Sequence, residues 1–311
     1  MPNLTFVVPR LLLSVLVFTA TVQKAQPQDK NAENFAVTLT AEDEDSSPTD
    51  EQSAARKKLI VAAMQKYSFV LDEDPSKRAT VDQTALLRWS NPQGDVADGM
   101  QAVYTTGPGQ RPAAICNIYV HGAKLRGLSM LAFADIYPGP LKLMRNDRTV
   151  WSPQTRYSKF ERLPDAPEPA ENPALRLVQI KKMAARFEII DGFRDSGAEP
   201  KPVLLRMMSR PTYRYGSPDG EIIDGALFTH VVATDPEACL VIEIHRKDGL
   251  TFWEYMVLPM TIYSLDAKLD GNVVWQKPAA AVFGDSTGPF YTSRYSGDPG
   301  EPTFRSLLSL P

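Results

Sequence analysis

Residues 224–275 read DGALFTHVVATDPEACLVIEIHRKDGLTFWEYMVLPMTIYSLDAKLDGNVVW. Short apolar runs rich in β-branched and aromatic residues recur here between Asp/Gly turns. That is the signature of strands rather than helices. Asp270-Gly271 separates two such runs, and both residue types accept positive φ, so the pair predicts a two-residue hairpin. The stretch therefore reads as strands at about 226–233, 238–246, 251–259, 261–269 and 272–276, joined as an antiparallel meander.

The chain carries this unit twice. Residues 112–151 align without a gap on 236–275, at an offset of 124. The identities include Pro112/Pro236, Ile118/Ile242, His121/His245 and Val150-Trp151/Val274-Trp275. Upstream, Asp98-Gly99 matches Asp224-Gly225 at an offset of 126, with two extra residues in the turn at 107–110. Leu86-Leu87-Arg88 matches Leu204-Leu205-Arg206, and Lys66-Tyr67, closing a helical stretch, matches Arg186-Phe187. A unit this long exceeds the roughly 20–50 residues of a solenoid repeat and predicts a duplicated domain half.

Working outward, the first unit reads as strands at 85–90, 100–106, 113–121, 128–136, 141–145 and 149–152, with Asn146-Asp147 as the last turn. In 113–121 one face carries Ala114, Cys116, Ile118 and Val120, a core face. The other carries Ile115, Asn117, Tyr119 and His121, a mixed face. Before each meander lies a helix. The first starts near Thr49 and shows Leu59, Ile60, Ala63, Met64 and Tyr67 on one side. Its Arg56-Lys57-Lys58 cluster reads as a solvated face. The second helix runs from Pro173 to about residue 190, with Asn172 as N-cap and Leu175, Val178, Met183, Phe187 and Ile190 as its apolar face. The expected class is α+β: two tandem similar units, each a helix followed by an antiparallel meander of about five or six strands.

The expected boundaries follow. Residues 1–25 are an export signal or N-terminal anchor, since Arg10 precedes an apolar run at 11–22 that is too short to span a bilayer. Residues 26–48 are an acidic linker with too little apolar content to bury. The first unit covers 49–153, a Pro-rich linker 154–172, and the second unit 173–278. Residues 279–311 are a Gly/Pro/Ser-rich tail, irregular or draped over a sheet edge. The expected location is periplasmic or extracellular, or membrane-anchored through residues 11–22.

Composition narrows the function. With 311 residues, 43% of them hydrophobic, the chain can bury one large core or two small ones. A net charge of −3 gives no electrostatic footprint for nucleic acid. Cys116 and Cys239 fall one position out of phase in the two units, so they point to opposite strand faces and no disulfide is favoured. No nucleophile elbow, phosphate loop or metal-ligand spacing is present, so no cofactor and no metal is implied. The acids Glu221, Asp224, Glu243 and Glu254 are scattered through the second unit. The candidate ligand-binding residues are Tyr213, Tyr215, Trp253 and Tyr255, with Phe252 beside them, as a dense aromatic set, and the repeated pair His121 and His245. The loop at 213–220 has no full counterpart in the first unit.

Leu86-Leu87-Arg88-Trp89-Ser90-Asn91-Pro92, Asp224-Gly225-Ala226-Leu227-Phe228 and the two Val-Trp pairs resemble a family of exported proteins of planctomycete-type bacteria. The resemblance covers about residues 55–278, rests on strand and turn residues, and implies export and a shared fold without any catalytic residue. The expected function is a non-catalytic binding module of the envelope, its partner an envelope protein, a glycan or a small molecule. The alternatives are a hydrolase with its site between the repeats, or a structural envelope protein.

Overall fold

A computed structural model of the chain describes residues 50–122, 129–192, 201–279 and 283–295. The N-terminal apolar run, the acidic stretch, Thr49 and most of the C-terminal tail lie outside them. Helix α1 (Asp50–Gln65) leads into β1 (Tyr67–Leu71), β2 (Asp74–Asn91), β3 (Val96–Thr105), β4 (Pro112–His121), β5 (Ser129–Asp135), β6 (Leu141–Arg145) and β7 (Arg148–Trp151). A short β8 (Glu161–Arg162) precedes α2 (Pro173–Ala184). Then come β9 (Phe187–Asp191), β10 (Val203–Leu204), β11 (Arg206–Met207), β12 (Tyr213–Tyr215), β13 (Ile222–Val232), β14 (Asp235–Lys247), β15 (Leu250–Pro259), β16 (Leu265–Leu269), β17 (Asn272–Lys277) and β18 (Tyr291–Arg294).

The α+β expectation is overturned. Of the described residues 53% are strand and 13% helical, and the main sheet is an antiparallel, nearly closed barrel. Both helices stop earlier than their apolar spacing suggests. Tyr67 and Phe187 are not the ends of helices but the first residues of β1 and β9. The reason is side-chain shape: Tyr-Ser-Phe-Val-Leu and Phe-Glu-Ile-Ile-Asp are aromatic and β-branched, and they alternate into a core face. The hairpin from β1 to β2 turns on Asp72 and Glu73, both at positive φ (54° and 58°). Asp270 and Gly271, at φ 50° and 82°, make the expected β16–β17 turn.

Eight strands form one sheet in the order β18-β5-β4-β3-β2-β1-β6-β7. Its two edges approach each other. Trp151 on β7 donates through Nε1 to the Gly288 carbonyl at 2.7 Å and lies 6.2 Å from the Tyr291 ring on β18. A six-stranded sheet runs β11-β13-β14-β15-β8, with β12 also on β13, and a four-stranded sheet runs β10-β9-β16-β17. The first barrel encloses Phe69, Tyr104, Cys116, Phe133 and Trp151 under α1. A second core, of Phe228, Leu240, Ile242 and Trp253, lies on the six-stranded sheet under α2. A third apolar layer, including Val103, Ile115, Leu227, Cys239 and Val241, joins the back of β3–β5 to the back of β13–β15. Both cysteines are free and buried, Cys116 in the first barrel and Cys239 in the joining layer.

The ladders of the two halves correspond residue by residue. Gly99 pairs with Tyr119 as Gly225 pairs with Glu243, and Val96 with His121 as Ile222 with His245. The same bulge interrupts both, between Val96 and Asp98 and between Ile222 and Asp224. Each half's trailing segment adds an edge strand to the other half: β8 pairs with β15, and β18 with β5. The tail, expected to be irregular or draped over a sheet edge, lays β18 on the edge of the eight-stranded sheet.

One ionic arrangement recurs in both halves. Asp98 accepts from Arg56 Nε at 3.2 Å and from Arg88 Nε at 2.9 Å; Asp224 accepts from Arg176 Nε at 3.0 Å and from Arg214 Nε at 2.9 Å. These pairs fix each helix on its sheet. They also correct two expectations. Arg56 is buried rather than solvated. The counterpart of Arg88 is Arg214 on β12, not Arg206, so the segment expected to be an unmatched loop occupies the place of the end of β2. On α2 the inward stripe is Arg176, Ile180 and Ala184, while Leu175 and Val178 are 58% and 48% exposed. An arginine heading the buried stripe hides it from any count of apolar spacing.

Candidate functional site

The mixed face of β4 and the start of β14 meet at a cleft of about 640 Å³ between the halves. Because side chains alternate along a strand, Asn117, Tyr119 and His121 leave the core face together and enter this space. Asp235 and Glu237 enter it from the facing strand by the same two-residue step. Met130, Met260, Phe283 and Phe290 supply apolar wall, and Thr261 and Thr292 add hydroxyls. The volume lies within the range of small-molecule sites.

The first wall is held in place. Trp89 Nε1 donates to Asn117 Oδ1 at 3.0 Å, and the Trp89 ring packs against Tyr119 at 5.5 Å. Tyr119 meets His121 edge-on at 5.4 Å. His121 Nδ1 lies 3.3 Å from the Asp95 carbonyl, and burial pulls its pKa below the usual histidine value.

The second wall is acidic. Burial raises Asp235 to about 7, against a lowering hydrogen bond from Asn91, whose Nδ2 lies 3.4 Å away; the nearby Asp191 charge adds to the rise. Glu237 is held well above the carboxylate range, first by burial and then by Asp235 and Asp191. Asp191, on β9 behind them, is 0% exposed and has no hydrogen-bond partner on either oxygen; burial raises it to about 7. The neighbouring Lys277 ammonium donates to the Tyr263 carbonyl at 2.6 Å and the Pro278 carbonyl at 3.1 Å, and burial lowers it to about 8. Three carboxylates thus face one ammonium. Acids kept neutral by burial can hold or donate a proton near neutral pH.

The corresponding place in the other half of the interface is closed. Arg111, the counterpart of Asp235, places Nε 2.8 Å and an Nη 2.7 Å from the two oxygens of Glu243, the counterpart of Tyr119. Tyr215 donates to Glu243 at 2.5 Å, and His245 Nε2 lies 2.8 Å from Glu243 and 3.4 Å from Glu254. Arg162 pairs with Glu254 at 3.5 Å, and the Phe160 ring lies 4.3 Å under the Arg111 guanidinium. Glu243, His245 and Glu254 bring ligand atoms close enough to hold a metal. Yet Glu243 already accepts from Arg111 and Tyr215, and its charge is balanced inside the protein, so the group behaves as a closed ionic network.

Of the residues singled out in the sequence, His121 alone lines the cleft. His245 belongs to the closed network, so the two histidines share no cavity. Tyr213 and Tyr215 stack at 5.7 Å inside the layer joining the halves. Trp253 and Tyr255 belong to the second core, Trp253 donating to the Pro167 carbonyl at 2.8 Å and Tyr255 packing 4.9 Å from Phe187. The four are core, because strand alternation and β12 pairing turn them inward. Phe252 stacks on His245 at 5.2 Å. Asp235 and Glu237 were missed because the expected strand began at Ala238, whereas β14 begins at Asp235.

No helix among the described residues is long and apolar enough to cross a membrane. Neither family models, nor curated proteins, nor solved structures provide a match to this chain.

Proposed function

We propose that this chain is a binding protein whose ligand, a small molecule with an apolar body, occupies the cleft between the two halves. The observation that carries this reading is the asymmetry of the interface. Two corresponding places exist; one is filled by Arg111, Glu243, His245 and Glu254, and the other is an open volume of about 640 Å³ with polar groups on both walls. A place left open forgoes the packing and pairing that its closed counterpart has. Export belongs to the same proposal and rests on the apolar run at 11–22. N-terminal sequencing of the protein recovered outside the cytoplasm tests it; an intact Met1 on cytoplasmic protein overturns export.

The binding reading is tested by ¹³C-methyl NMR of methionine-labelled protein against a library of small fragments. Met130 and Met260 line the cleft, whereas Met64 and Met100 are buried in the first barrel. Binders that shift Met130 and Met260 together support the reading. Binders that move only other methionines, or a library without any binder, overturn it.

A second reading, a hydrolase, is favoured by one observation: Asp235 and Glu237 keep protons near neutral pH beside His121. A general acid needs that property. Turnover of a bound ester or glycoside that disappears in Asp235→Asn and Glu237→Gln would select it over binding alone.

A further inference from the structure

We infer that the open cleft recognises a cationic group, and that its ligands are organic amines with an apolar body. This rests on the binding reading above and names the ligand class.

The described cleft lining contains Asp235 and Glu237 but no lysine or arginine. Asp191 stands behind them from β9, fully buried, with both oxygens lacking a hydrogen-bond partner. A buried carboxylate without donors costs several kcal/mol in a folded protein unless something compensates it. Lys277 on β17 compensates one charge of the three; its ammonium is tied to two backbone carbonyls.

The closed counterpart shows how the same scaffold satisfies buried acid. There the guanidinium of Arg111 lies on Glu243, with an aromatic ring, Phe160, against its face. In the open place Asp235 stands where Arg111 stands, and among the described residues no lysine or arginine lines it. The Phe290 ring already faces the Lys277 ammonium at 5.8 Å, and the Tyr119 ring is part of the lining; such rings favour a cation over their faces. An ammonium near Asp235 and Glu237 would restore the balance that Arg111 provides opposite.

Other polar groups stand at or near this cleft. Tyr119 and His121 come from β4, Asn91 from the end of β2, Tyr263 from the connection after β15, and Arg294 from β18. Arg294 is exposed at the rim, cross-strand from Met130 and outside the lining. His121 becomes cationic only in acid, because burial lowers its pKa. Amine binding is therefore coupled to proton release. Asp235 and Asp191, each raised to about 7, and Glu237, held well above the carboxylate range, carry protons near neutrality that an incoming cation displaces. Affinity should rise with pH across neutrality, by about tenfold from pH 6 to pH 8 for one proton released.

The test uses the intact chain and three probes of equal length: hexylammonium, hexanol and hexanoate. Binding is read by the Met130 and Met260 methyl shifts and by calorimetry in two buffers of different ionisation enthalpy. The expected result is hexylammonium binding at least tenfold tighter than hexanol, hexanoate weakest, and protons released to the buffer. The near-isosteric double variant Asp235→Asn with Glu237→Gln should lose the preference for hexylammonium while still binding hexanol. Equal binding of hexylammonium and hexanol overturns the cation inference and leaves the cleft as a binding site. Absence of any shift at Met130 and Met260, with all three probes and with the fragment library, overturns both. Wild-type pH dependence needs no variant, so a double variant that failed to fold would leave the inference open to refutation by a flat profile between pH 6 and pH 8.

Discussion

Arg111 reaches from the turn after β3 and sets its guanidinium on Glu243 of β14, with nitrogens 2.8 Å and 2.7 Å from the two carboxylate oxygens. Glu243 is 0% exposed. Removing the cation strands a buried charge, whereas removing both partners removes the desolvation cost as well. Arg111→Met should destabilise the fold by about 3 kcal/mol in urea unfolding. Adding Glu243→Leu should recover a large part of that loss. A double variant no more stable than the single would refute the assignment of Glu243 as the stranded charge.

Gly99 and Gly225 hold corresponding positions, each under an aromatic ring. A Cβ on Gly99 would stand 2.4 Å from the Trp89 ring, and one on Gly225 2.6 Å from the Tyr215 ring. Neither ring has a free end to swing aside. Gly99→Ala and Gly225→Ala should each cost about 1–3 kcal/mol. The Gly99 variant should in addition change the Trp89 emission. Unchanged urea midpoints in both variants would show that the rings are not fixed.

His230 on β13 is buried with neither ring nitrogen partnered, and burial lowers its pKa to about 4. The unfolded chain has an ordinary value near 6.5, so between those limits it binds more protons than the folded chain. Stability is therefore intact above about pH 6.5 and is lost as the pH falls toward 4. His230→Leu should flatten this acid limb and raise stability by about 1 kcal/mol at neutral pH. Thermal midpoints for both proteins from pH 4 to pH 8 would decide it; parallel curves would sink the prediction.

Asp191 works in the opposite sense. Its folded pKa is raised to about 7, above the unfolded value near 4, so its contribution is intact below pH 4 and lost as the pH rises through 7. Asp191→Asn should be more stable than the wild type at pH 8 and nearly equal to it at pH 4. Urea midpoints at the two pH values provide the check, and a variant less stable at pH 8 would mean that the charge pair with Lys277 outweighs the burial cost.

The β16–β17 turn was legible because it is local in sequence: Asp270-Gly271 announces a hairpin through its φ preferences. His121 and His245 hold matching ladder positions because 112–151 align with 236–275 without a gap. The helix ends were misread at Tyr67 and Phe187, where apolar spacing fits a helix while aromatic and β-branched shape selects a strand. Arg176 escaped notice because a buried arginine is recognised only once its partner, Asp224, is known to lie across from it.

The sequence by itself determined the strand character of the stretch at 224–275, the Asp270-Gly271 turn and the opposite phases of Cys116 and Cys239. Those depend on residue type and spacing along the chain. Only the tertiary structure decided that the eight-stranded sheet closes toward a barrel, that Tyr213, Tyr215, Trp253 and Tyr255 are core, and that Asp235 and Glu237 share a cleft with His121. The acidity of that cleft depends on water being excluded by residues more than a hundred positions away, such as Tyr119. Desolvation is a property of the assembled surface, and no window of sequence contains it.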